Sequence, residues 1–114
     1  MSSEDITEFE AQFSKGTLRV RMTELENGTL VLLSDSPKFR LGQSAMAIPP
    51  GHGRTEPTSA GAFSGGLDSA MVRTLAERIA AISGQTCMVV SGVREMTREV
   101  MMEIMIILKN HLVA

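Results

Sequence analysis

The chain has 114 residues, 43% of them apolar and 21% charged, which suits one hydrophobic core, leaves no room for a second and excludes disorder throughout. A net charge of −2, no Trp, no Tyr and four Phe exclude the basic footprint and most of the aromatic platforms that nucleic-acid binding uses. A single cysteine excludes an intramolecular disulfide framework and points to a reducing compartment.

Residues 1–12 carry four acids and no base, unlike the basic start of a signal peptide or the Arg-rich run of a transit peptide. Residues 100–108 form the longest apolar stretch, broken by Glu103, and a bilayer span needs about 20 apolar residues. A soluble intracellular protein is expected. Residues 1–8 read as a disordered tail on a single domain. Ile6, Phe9 and Phe13 suit a helical turn better than a strand, but the run is too short to decide its type.

Residues 17–25 alternate: Leu18, Val20 and Met22 point one way, Arg19, Arg21 and Thr23 the other. Period two predicts a half-buried strand. Asn27-Gly28 separates it from Thr29-Leu30-Val31-Leu32-Leu33, and Asn-Gly between two such runs predicts a hairpin with a type I′ turn. Residues 38–48 read as a further strand. Phe39 and Leu41 lie on one parity and Met46 and Ile48 on the other, so a bulge at Gly42 is expected. Residues 49–66 hold three Pro and five Gly and read as a loop, with a short edge strand over 58–63.

Leu67, Met71, Leu75, Ile79 and Ile82 make an apolar stripe that predicts an amphipathic helix over 68–82. Asp68 or Ser69 is placed to cap its start and Gly84 its end. Residues 85–91 read as a strand around the unbroken run Cys87-Met88-Val89-Val90, and residues 95–112 as a last helix. Hairpins imply an antiparallel sheet of five or six strands with two helices on one face, an α+β fold.

That arrangement leaves a deficit. Two helices cover one face, yet residues 30–33 and 87–90 are apolar on both parities, as expected of strands buried on both sides. A partner surface is the economical cover. Four side chains losing roughly 100 Å² each would contribute about 10 kcal/mol gross, against an association cost of about 4–15 kcal/mol. Leu18, Val20, Leu30, Leu32 and Val89 are the expected contact residues, with the exposed basic row Arg19 and Arg21 as a further partner contact. A one-residue register slip exchanges the faces. In the last helix eight of nine residues over 100–108 are apolar. Its Met residues, Met96, Met101, Met102 and Met105, belong either to the core or to an adaptable partner-facing stripe.

Little suggests catalysis. Ser64-Gly65-Gly66-Leu67-Asp68-Ser69 resembles the pyrophosphate loop of ATP pyrophosphatases, in which backbone amides and a helix N-terminus cradle phosphate. That loop follows a buried parallel strand in a full nucleotide-binding domain, and neither is expected around residues 57–69. Cys87 sits in an apolar strand without an activating His or Asp, and His52 and His111 are too far apart for a metal set. No cofactor, metal, nucleic-acid or membrane role is expected.

Leu75-Ala76-Glu77-Arg78-Ile79-Ala80, then Ser83-Gly84-Gln85, the strand over 86–91 and a closing amphipathic helix resemble the proteasome assembly chaperone 4 family. The strands over 19–25 and 29–35, then Pro37, Leu41 and Ala45-Met46, extend the resemblance over most of residues 9–112. It implies a six-stranded antiparallel sheet with helices on one side and a heterodimer with a related chaperone 3, formed through the sheets. It further implies binding of an alpha-type proteasome subunit, of alpha-5 type, to guide alpha-ring assembly of the 20S core in the cytoplasm and nucleus. A homodimer in isolation, a generic dimerising scaffold of similar build and an ATP-binding fragment using Ser64–Ser69 are the alternatives.

Overall fold

In a computed structural model, which describes residues 5–50, 58–62 and 66–113, the first strand is β1 (Ile6–Phe13). It pairs antiparallel with β2 (Gly16–Leu25) from Ile6↔Thr23 to Phe13↔Gly16. Residues 6–8 are therefore sheet, neither a disordered tail nor a helical turn. Phe9, Ala11 and Phe13 share one face and Glu8, Glu10 and Gln12 the other, a period-two pattern set by pairing. The reversal at Ser14-Lys15 is completed by Gly16, whose φ of 113° suits only a residue without a β-carbon. Two acids hold this turn, Glu103 from the last helix and Glu95 from the segment that leads into it. Glu103 accepts the Ser14 N–H at 2.8 Å and its hydroxyl at 2.5 Å, and Glu95 receives the Lys15 ammonium at 2.7 Å.

β2 runs into β3 (Gly28–Ser34) through a two-residue turn, as the register Leu25↔Gly28 requires. The hairpin is as expected, but its loop is Glu26-Asn27. Gly28 is already strand, and its φ is not positive. A β-carbon there would collide with the carbonyl of Thr86, so this glycine permits close strand approach.

Residues 38–42 are irregular, and the next strand is confined to β4 (Gln43–Ile48). No bulged strand carries Phe39 and Leu41. Gly42 marks the entry to β4 because a β-carbon there would strike the Ser91 carbonyl. β5 (Thr58–Ala62) pairs antiparallel with β4 at the sheet edge. α1 (Gly66–Ser83) starts two residues before the expected cap, placing Asp68 in its first turn where the helix dipole favours an acid. Gly84, at φ 71° with its N–H bonded to the Ala80 carbonyl at 2.8 Å, ends it as expected. After β6 (Thr86–Ser91), α2 (Arg98–Val113) begins behind Thr97, whose hydroxyl accepts the Val100 N–H at 3.2 Å. This N-cap moves the start from residue 95 to 98.

The six strands lie in the order β1-β2-β3-β6-β4-β5, and the class is α+β. One expectation is corrected: the sheet is mixed, because β3 and β6 pair in parallel, Leu30↔Met88 and Leu32↔Val90. A parallel neighbour needs a long crossover, and everything from residue 35 to 85 supplies it. The two most apolar strands thereby take the centre of the sheet. α1 packs on β4, β5 and β6, and α2 on α1 and β1. Between helices and sheet lie Leu18, Val20, Val31, Leu33, Leu75, Ile79, Cys87, Val89, Ile104 and Leu108, all at zero exposure.

Candidate interaction surface

The register sorts the strand residues into two faces. Val20↔Leu33, Met22↔Val31, Val31↔Val89 and Ala45↔Val89 lie on the helix-covered face. Leu30↔Met88, Leu32↔Val90 and Met46↔Met88 lie on the opposite face. Its centre is apolar: Leu30, Leu32, Met88 and Val90 are only partly buried, and Met46 and Ile48 are 47% and 49% exposed.

Its border is polar. Arg19 is 2.7 Å from Glu10 and Arg21 pairs with Glu8, each pair bridging β1 and β2. The Arg21 guanidinium also stands 5.4 Å from the centre of the Phe39 ring. Residues 35–42 close one end of the face. Ser34 has the open-face parity yet is fully buried, its hydroxyl donating to the Lys38 carbonyl at 2.8 Å and accepting the Ser36 N–H at 3.0 Å. An apolar centre inside a hydrogen-bonded polar rim has the anatomy of a protein–protein interface.

Of the expected contact residues, the structure separates two sets. Leu30 and Leu32 are on the open face. Leu18, Val20 and Val89 have zero exposure beneath the helices, out of reach of any partner on that surface. The error is one of parity: β2 buries its even-numbered residues where β3 buries its odd ones, because Val20 faces Leu33 and not Leu32. Met88, Val90, Met46 and Ile48 were missed. The unbroken run in β6 concealed which side each residue takes, and the irregular stretch before β4 hid its phase. Arg19 and Arg21 do share the face with Leu30 and Leu32, but each is paired with a β1 glutamate. They form a neutralised border rather than a free basic row.

The chemistry of the remaining residues is modest. Burial pushes the Cys87 thiol up to about 12, the reverse of what a nucleophilic cysteine needs. Among the described residues no three His, Cys, Asp or Glu are grouped to hold a metal ion. Ser64 and Gly65 of the phosphate-loop-like motif lie outside the described residues. The strand that precedes it, β5, is an edge strand antiparallel to its neighbour, not the buried parallel strand such a loop springs from.

No family model and no curated protein matches the chain. Among solved structures it is similar to a chain in the "Crystal Structure of a Novel Chaperone Complex for Yeast 20S Proteasome Assembly". The TM-score is 0.63 at 18% identity, covering 95% of this chain and 93% of that one. The two chains share a fold. It agrees with the expected six strands and one-sided helices, and so with a sheet that carries an uncovered face.

Proposed function

We propose that this chain is a non-enzymatic assembly chaperone for the 20S proteasome, working as half of a heterodimer with a related chaperone of the chaperone 3 type. The pair binds an alpha-type subunit, of alpha-5 type, and promotes alpha-ring assembly in the cytoplasm and nucleus. The observation that carries this reading is the apolar centre of the open sheet face, built from Leu30, Leu32, Met88 and Val90, in a chain with the fold of a proteasome-assembly complex. A monomer gains nothing from keeping such a surface wet. Covering it with a second sheet removes it from water while leaving the helical layer outside.

The test is co-expression of the tagged full chain with the chaperone 3-type and alpha-5-type proteins of its own organism, followed by size exclusion and mass identification. A complex of this chain with the chaperone, capturing the alpha subunit, is expected. Leu32→Asp and Val90→Asp should disperse it while the chain stays folded. Self-association alone would favour the generic scaffold. Thermal stabilisation by ATP and magnesium would favour the nucleotide-binding alternative.

A further inference from the structure

The helical layer faces away from the open sheet, and its outer side is not uniformly polar. In the groove between α1 and α2, Ile82, Met102 and Ile106 are 39%, 46% and 58% exposed above the buried Met105. Ile82, expected to be in the core stripe, is one wall of this groove. Two cations flank the apolar strip: Arg78, one turn before Ile82 on α1, and Lys109, which follows Met102 and Ile106 along α2. Lys15, Arg19 and Arg21 are each paired with a glutamate. Arg78 and Lys109 have no ion-pair or hydrogen-bond partner among the described residues, whereas Glu77, which lines the same groove, is already engaged.

We propose that this groove docks an amphipathic helix of another protein, one that brings an apolar stripe flanked by acidic residues. The shape favours a helix. Met102 and Lys109 are seven positions apart, about 10 Å or two helical turns, which matches an i, i+3, i+4, i+7 set of anchors lying between two helices. The charge favours an acidic partner, since acids beside Arg78 and Lys109 gain attraction without breaking an existing pair. It disfavours a second copy of this chain, because a two-fold contact groove to groove would set these cations against themselves. The concave form disfavours a lipid surface, which is met by a convex apolar ridge. The inference does not rest on the function proposed above, and the groove and the open sheet face can be occupied together.

Two designed helical peptides of about four turns, with the same apolar stripe and either Glu or Lys flanks, test it by fluorescence anisotropy against the full chain. The Glu peptide should bind and the Lys peptide bind at least about tenfold more weakly. Ile106→Ser should weaken the Glu peptide by about tenfold or more. Arg78→Glu combined with Lys109→Glu should reverse the preference in favour of the Lys peptide. All three positions are exposed, and circular dichroism with a urea midpoint separates lost binding from lost fold. Equal binding of the two peptides overturns the proposal, as does a preference unmoved by charge reversal, or no binding up to about 1 mM. Binding to phosphatidylserine vesicles without binding to the Glu peptide overturns it in favour of a membrane.

Discussion

Leu32 and Leu33 are neighbours on one strand with opposite surroundings. Leu33 has zero exposure beneath the helices, opposite Val20 on β2. Leu32 faces away, opposite Val90, and remains partly in water. The same side chain thus sits in the core in one position and on the uncovered face in the other. The comparison extends across the sheet. The helix-covered face is closed from β2 to β4, whereas the apolar residues of the open face are concentrated on β3, β6 and β4 and remain partly in water. A sheet with one helical layer needs only one apolar face for stability, so apolar residues on the second face are there for something else.

Alanine at the two leucines breaks or sharpens that contrast with the largest effect. Leu33→Ala should cost the isolated chain about 3 kcal/mol in urea unfolding, through lost transfer energy and a residual cavity. Leu32→Ala should cost under about 1 kcal/mol, because much of its transfer energy was never gained. Equal costs would mean that the open face is sealed within the single chain.

Cys87 reports on the closed side at intermediate scale. Its buried thiol, with a value near 12, should resist thiol reagents at mildly alkaline pH and be labelled only as fast as the chain unfolds. The folded state keeps the proton, so the stabilisation is fully present below the ordinary value of 9.0 and is lost as pH rises towards about 12. Rapid labelling of the native chain would show that the helices do not close the face.

The smallest effect concerns the tie between helical layer and sheet. Hydrogen bonds from the Ser14 hydroxyl and N–H hold the Glu103 carboxyl below its ordinary 4.5. Stability from this contact is present above that value and is lost as pH falls through the lowered one. Glu103→Gln should flatten the acid limb of a urea midpoint measured against pH. An unchanged limb would mean that the Ser14–Glu103 contact adds nothing to the hold on this turn.

Much of the surface was legible in the residues, though not its membership. The run over 87–90 and the alternation over 17–25 announced strands with more apolar side chain than two helices shelter. Which of Leu30, Val31, Val89 and Val90 would face outward was not legible, because an unbroken apolar run carries no parity of its own. The β1 strand was legible in principle. Glu8, Glu10 and Gln12 alternate with Phe9, Ala11 and Phe13, a signal obscured by Ile6 on the polar parity. Gly28 looked like turn chemistry and is a close-approach residue, which only the Thr86 carbonyl reveals.

What the amino-acid order determined by itself was local: the hairpin around residues 26–27, both helices with the glycine that ends the first, and a surplus of apolar strand. Periodicity, turn chemistry and capping act over a few residues, so they can be read along the chain. The parallel marriage of β3 to β6, the face each leucine occupies and the meeting of Arg78 with Lys109 across a groove were decided by tertiary structure. Each joins segments far apart in the chain, and their alignment comes from packing the whole sheet against its helices at once.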